Sequence, residues 1–212
     1  MFDEQLHLQQ VAAIAGISIA ENVRPTHQQI ILNQRRFHYQ QWGELSNPVI
    51  LFLHGGNQNS HTWDVICAAL CQQYCCVALD QRGHGDSEWS YEGNYAPRSQ
   101  AEDIAALANH LNWTNFSIVG MSMGCLNALY YAVENAERLT GLVAIDAGPY
   151  VEIEGASKIR SFIADNQQHR QLQDYIDAAM LFNPQRNPDL LRRSLERNLR
   201  QLSNGHWTWK SD

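Results

Sequence analysis

The chain has 212 residues, 44% of them hydrophobic, enough for one domain with a sizeable core and room for a small insertion. Its 22 acidic residues outnumber 15 basic ones, leaving a formal charge of -7. That balance, without any Lys/Arg run, repels a nucleic-acid backbone and an anionic membrane surface, so small molecules are the expected partners.

The first twenty residues hold an apolar stretch, Val11 to Ile17, preceded by Asp3 and Glu4. A secretory leader would begin with basic residues, so the segment is not read as one. No apolar run approaches the roughly 18 residues needed to cross a bilayer. A cytoplasmic protein is expected. Gln29 to Tyr39 reads as two extended segments around Asn33-Gln34, an antiparallel pair. Val49 to Leu53 is an unbroken apolar run ending at His54-Gly55-Gly56, the pattern of a strand buried on both faces. A less regular helix follows over Thr62 to Gln73. Three more apolar runs come later: Cys76 to Leu79 before Asp80, Phe116 to Val119 before Gly120, and Leu142 to Ile145 before Asp146.

Helical spacing separates these runs. Ile104, Leu107, Ala108 and Leu111 form one amphipathic stripe, and Leu126, Leu129, Tyr130 and Val133 another. Strand, helix, strand, repeated, predicts an α/β fold with a mostly parallel sheet and helices on both faces. After Pro149 the pattern becomes helical only. Stripes at Ile159/Phe162/Ile163, Leu172/Tyr175/Ile176 and Leu191/Leu195/Leu199/Leu202 are punctuated by Asn183-Pro184 and Asn187-Pro188. The expected organisation is a core over residues 1–149 and a helical cap over residues 150–212. The five cysteines, Cys67, Cys71, Cys75, Cys76 and Cys125, are odd in number and spaced unlike a disulfide ladder or a zinc motif. They read as reduced core residues, which suits a reducing compartment.

Gly120-Met121-Ser122-Met123-Gly124 fits G-x-S-x-G, between a buried strand and an amphipathic helix. Side chains flanking such a sharp turn would collide, which is why glycines stand two residues to either side of the serine. The turn lifts the Ser122 hydroxyl above the sheet at a helix N-terminus. The alternative is an ordinary turn with a capping serine. Gly56, in the loop after an earlier strand, and Met123 are the backbone amides expected to receive an oxyanion. His54 reads as a hydrogen-bonded structural residue.

His54-Gly55-Gly56, Asp80-Gln81-Arg82-Gly83-His84-Gly85-Asp86-Ser87 and the Ser122 pentapeptide, each after a strand, resemble the α/β-hydrolase fold superfamily, in the style of its lidded serine esterases. The resemblance runs from Gln29 to Asp146 and more loosely through the cap. It implies hydrolysis of a carboxylic ester or similar acyl bond through an acyl-enzyme on Ser122, with no metal or organic cofactor. It also implies that Arg82, His84 and Asp86 brace a loop. Lactone or carbon–carbon bond cleavage on the same site, and ligand binding without catalysis, are the rivals. Serine as nucleophile argues against haloalkane dehalogenases and epoxide hydrolases, whose family nucleophile is aspartate.

The pattern departs from the family at its end. The catalytic histidine follows a final strand in these proteins, and here Trp207 to Asp212 resembles the exit from a cap. His61, His84, His110, His169 and His206 lie downstream of His54, none in the family's position. Asp146 stands where a minority of the family keeps the acid, though Asp-x-Gly-Pro is equally common as a structural loop. The C-terminal strands therefore look missing from a truncated or shortened relative. An open sheet edge beside Leu142 to Ile145 would invite self-association.

Overall fold

The structure is a computed structural model describing residues 4–147 and 153–212. The chain divides into two compact units, Met1–Ala147 with Ser211–Asp212, and Gly148–Lys210. The boundary expected between residues 149 and 150 lies outside the described residues.

The first unit contains α1 (Glu4–Ala15), β1 (Thr26–Leu32), β2 (Arg35–Trp42), β3 (Val49–Leu53), α2 (Asp64–Leu70), β4 (Cys75–Leu79), α3 (Pro97–His110), β5 (Phe116–Met121), α4 (Met123–Asn135) and β6 (Leu139–Ile145). Its six strands run in the order β1-β2-β4-β3-β5-β6. β3, β4, β5 and β6 are mutually parallel, while β1 and β2 join antiparallel. Asn33 and Gln34 close the β1–β2 hairpin with φ of 49° and 63°. Two positive φ values in a two-residue loop match the right-handed twist of the strands it joins.

Alternation along the central strands explains the two cores. Leu51, Leu53, Cys75, Val77 and Leu79 point to one face, where Ile104, Leu107, Ala108, Ala128 and Tyr131 of α3 and α4 cover them. Phe52, Cys76 and Ala78 point to the other and meet Trp63, Cys67, Ala68 and Leu8. Helices thus lie on both faces, as the unbroken apolar runs predict. Leu8 and Ala12 anchor α1, a helix that the sequence did not suggest. The expected helix over Thr62–Gln73 is instead a short 3-10 turn, Ser60–Trp63, followed by α2. All five cysteines are buried and free.

The stripe expected to anchor α4 corrects the sequence reading. Cys125, Ala128 and Tyr131 are the buried face, whereas Leu129, Tyr130 and Val133 are exposed, the last by 83%. α4 is apolar nearly all round, so periodicity alone could not choose its inner face.

The second unit holds α5 (Ile153–Asp165), β7 (Gln168–His169), α6 (Leu172–Phe182), α7 (Pro188–Asn198), β8 (Leu199–Gln201) and β9 (Trp207–Trp209). Tyr175, Ile176, Ala179, Leu191, Leu195, Leu199 and Trp209 form its core. Asn187 caps α7 by accepting from the amides of Asp189 and Leu190, with Pro188 in the first turn. The unit is not purely helical, because β7-β9-β8 form a small antiparallel sheet. Strands of two or three residues are too short to leave a period-two signal, and Leu199, assigned to the last helical stripe, belongs to β8.

Candidate active site

The G-x-S-x-G pentapeptide forms the sharp turn between β5 and α4. Ser122 has φ 49° and ψ -113°, a strained backbone for a residue with a side chain. Two things hold it there. The Ser122 amide donates to the Ile145 carbonyl at 2.9 Å, tying the turn to the end of β6. The flanking glycines permit close approach: a Cβ on Gly120 would fall 2.7 Å from Cys125 Cα, and one on Gly124 would fall 2.4 Å from the Leu53 carbonyl oxygen. Ser122 is exposed, and no described residue hydrogen-bonds its hydroxyl.

The loop after β3 comes alongside. A Cβ on Gly55 would lie 3.5 Å from Ser122 Cβ. The Gly55 amide is already engaged, donating to Gln58 Oε1 at 2.9 Å. Gly56 follows it, exposed and facing open space, and its amide has no acceptor among the described residues. Met123 is the first residue of α4, where an amide has no intrahelical partner. The geometry thus leaves unengaged the two amides, Gly56 and Met123, that the sequence singled out.

A buried polar network fixes this arrangement from below. The backbone amide of Gln81 donates to His54 Nε2 at 3.0 Å, which requires the ring proton to sit on Nδ1, donated to the Gly55 carbonyl at 2.8 Å. Gln81 Nε2 donates to the His54 carbonyl at 2.7 Å, and Asn127 Nδ2 donates to Gln81 Oε1 at 2.7 Å. The ends of β3 and β4 and the first turns of α4 are therefore one hydrogen-bonded body. Burial, reinforced by the neighbouring His84, pushes His54 down to about 3, so the ring is neutral and has no nitrogen left for Ser122. Gln81 and Asn127 belong to no motif, and their roles could not be read from sequence.

The loop after β4 is braced largely by charge. Arg82 forms a buried bidentate pair with Asp103, at 2.8 Å to each oxygen, and donates to the carbonyls of Asn94 and Ser99. His84 Nδ1 bonds the Arg82 carbonyl at 2.9 Å, and burial lowers its pKa. Asp80 accepts from the amides of Ser60 (2.6 Å) and Asp86 (2.9 Å) and from His38 Nδ1 (2.7 Å). Burial opposes its ionisation, but the hydrogen bond and charge of His38 and the Asp86 amide outweigh that and hold its carboxyl below the usual range. Asp86 itself is exposed and contributes through its backbone. Among the described residues, one trio of potential metal ligands, His38, Asp80 and Asp86, has donor atoms within 4.8 Å of one another.

Among the described residues of the first unit, no histidine hydrogen-bonds Ser122. His61 is held by Asp64 at 2.8 Å, His169 by Asn166 at 2.8 Å, and His110 is exposed at the end of α3. Asp146 follows β6 directly after the carbonyl that binds the Ser122 amide; it is exposed, with φ 50°. The last two residues return to the loops of the first unit, with Asn57 Nδ2 donating to Ser211 Oγ at 2.9 Å and the Asp212 amide donating to the Gly83 carbonyl at 3.0 Å. The Tyr95 hydroxyl also donates to the Asp212 carboxylate. Among the described residues, no helix is long and apolar enough to cross a membrane.

Comparison with known proteins agrees with the geometry. An esterase of Mycobacterium tuberculosis is 34% identical over 177 residues, 81% of this chain and 58% of that protein. Its structure, described together with transition metal inhibition of that esterase, superposes with a TM-score of 0.82 at 31% identity, over 100% of this chain and 72% of the other. A 2-(acetamidomethylene)succinate hydrolase of Mesorhizobium japonicum is 34% identical over 116 residues, 55% of this chain and 41% of that protein. The chain thus spans little more than half the length of the first of these curated relatives and less of the second. The profile of the alpha/beta hydrolase fold matches residues 48–206, which with the strand order and the elbow at Ser122 places this chain in the α/β-hydrolase fold family.

Proposed function

We propose that the chain is the nucleophile-bearing part of a serine hydrolase that cleaves a carboxylic ester or similar acyl bond of a small molecule. The observation that carries this is the backbone of Ser122, held at φ 49° beside the unengaged amides of Gly56 and Met123. A strained serine at a helix N-terminus, next to two free donors, suits attack on a carbonyl and capture of the resulting oxyanion. Ser122 Oγ attacks the carbonyl carbon, the two amides receive the negative charge, and the leaving group departs to give an acyl-enzyme. Water then releases the acid. A base must take the serine proton, and no histidine described in the same unit hydrogen-bonds Ser122. The reading therefore includes a base supplied by polypeptide outside the 212 residues. Asp146, one residue beyond the elbow's anchor, is the candidate acid. The relative from Mycobacterium tuberculosis is named an esterase, which supports the ester class.

Two features belong to the same reading. The outer edge of β6 is the surface for a further strand or for self-association, and it is apolar: Val143 is 52% exposed. The five free cysteines suit the reducing cytoplasm. Ligand binding without turnover is the rival reading, in which Ser122 and the two amides only hold a ligand. Lactone or carbon–carbon bond cleavage would use the same serine and amides.

A fluorophosphonate followed by intact-mass analysis tests the assignment. The expected result is slow labelling confined to Ser122, quickened by added imidazole and absent from Ser122→Ala. Labelling that persists in Ser122→Ala, or none even with imidazole, would overturn it.

A further inference from the structure

We infer, resting on the reading of Ser122 as nucleophile, that Gln58 is the positioning residue of the oxyanion site, aiming the Gly56 amide by its hold on Gly55. Gln58 lies in no motif of the sequence. Its side chain folds back over the turn after β3, where Oε1 accepts from the Gly55 amide at 2.9 Å. Its own amide closes the same turn by donating to the Gly55 carbonyl at 3.3 Å. A backbone N–H can only donate, so the carboxamide is fixed with its oxygen toward Gly55.

Peptide geometry turns these two bonds into a direction. Each peptide group is planar and trans, so its C=O and N–H point opposite ways. Two such planes flank Gly55 and carry four polar groups between them. The His54 carbonyl accepts from Gln81 Nε2, and the Gly55 amide donates to Gln58. The Gly55 carbonyl accepts from His54 Nδ1 at 2.8 Å as well as from the Gln58 amide. The fourth group, the Gly56 N–H, is thereby turned away from the interior of the turn and left unengaged. Glycines have the softest backbone of any residue, and without these pins the Gly56 amide would swing over a wide range of directions. Asn57 completes the turn with φ 57°, a left-handed conformation that asparagine tolerates, and its Nδ2 donates to Ser211 Oγ at 2.9 Å.

Gln58 can hold the turn because its neighbours are themselves held. Asn59 and Ser60 are buried, and the Ser60 amide donates to Asp80 Oδ1 at 2.6 Å. The Asn59 side chain caps the following 3-10 turn by accepting from the His61 amide. The carboxamide thus carries a rigid support across to the two glycines. It also stands next to the nucleophile. A Cβ on Gly55 would lie 3.0 Å from Gln58 Oε1 and 3.5 Å from Ser122 Cβ, so a side chain there would crowd both at once. An oxyanion donor works by being aimed before the charge develops, and a misplacement of about 1 Å can cost on the order of a hundredfold in rate.

The test is the reaction of the 212-residue protein with a fluorophosphonate in the presence of imidazole, followed by labelling rate and by amide NMR. Capture of the phosphonyl oxygen should move the Gly56 and Met123 amide protons downfield together in the wild type. Gln58→Met keeps the length of a partly buried side chain and removes only the acceptor. It should slow labelling by at least about tenfold and erase the Gly56 response while leaving that of Met123. Gln58→Glu returns an acceptor oxygen and should restore the Gly56 response, whatever its charge does to the rate. Before any labelling, the Gly55 amide should exchange its hydrogen faster in Gln58→Met than in the wild type. A wild-type protein that stays unlabelled would overturn the nucleophile reading, and the role of Gln58 with it. A labelled wild type whose Gly56 response is matched by Gln58→Met would overturn the role of Gln58 alone.

Discussion

β4 and β6 are alike in sequence and opposite in environment. Cys75–Leu79 is buried at every position, between β2 and β3 and under helices on both faces. Leu139–Ile145 is apolar at five of its seven positions, yet five of the seven residues are exposed, and among the described residues β5 is its only neighbour in the sheet. The adjoining helix repeats the contrast, with Ala128 and Tyr131 inward and Leu129, Tyr130 and Val133 outward. An unbroken apolar run records how many layers an element is suited to meet. On β6 and the outer face of α4 that number exceeds what the described residues supply.

Four predictions sharpen or break this comparison. The largest concerns carboxylates. Asp103→Ala would strand a buried Arg82 and should cost about 3–5 kcal/mol in urea unfolding. Asp146→Asn, on an exposed residue past β6 whose φ of 50° asparagine tolerates, should stay within about 0.5 kcal/mol. Next comes one substitution made on each strand. Val77→Ala removes two buried methyl groups and should cost about 2 kcal/mol. Val143→Ala should cost under about 0.5 kcal/mol, and equal costs would mean that β6 is covered after all.

The third probes the covered side with acid. His54 stays neutral in the folded chain down to about pH 3, while the unfolded chain takes up that proton near ~6.5. Stability from this group is complete above the unfolded value and is lost as pH falls toward the folded one, at up to about 1.4 kcal/mol per pH unit. An NMR titration should show the His54 ring unresponsive from pH 8 to pH 4. A midpoint near ~6.5 would remove the group from the account. The smallest effect on folding should be the largest on association. Val143→Lys places a charge on the open edge and should shift sedimentation toward monomer, and an unshifted profile would clear the edge of any part in self-association.

Sequence could reveal what is local. The unbroken runs at Val49–Leu53 and Cys76–Leu79, the hairpin at Asn33-Gln34 and the elbow at Ser122 each announce themselves within a few residues. What depended on distant pairing stayed hidden. Gln81 matters because Asn127 and His54 meet it across 46 and 27 residues. Asp80 reaches His38 across 42 residues. The α4 stripe was misjudged for a related reason: a helix apolar on several sides declares burial without declaring direction.

The hydrogen bond from Asn57 to Ser211 joins residues 154 positions apart. Closing so long a loop carries an entropic penalty that grows with the logarithm of its length, and nothing offsets it until both ends are structured. Docking of Ser211 and Asp212 therefore belongs late in the folding reaction, after the parallel strands have paired. The same ordering makes the Asp212 amide among the first to exchange its hydrogen in the native state, well before the amides of β3 and β4. The pair Ser211–Asp212 acts as a late fastening, and its opening rate reads out the state of the loops after β3 and β4 without disturbing the sheet beneath them.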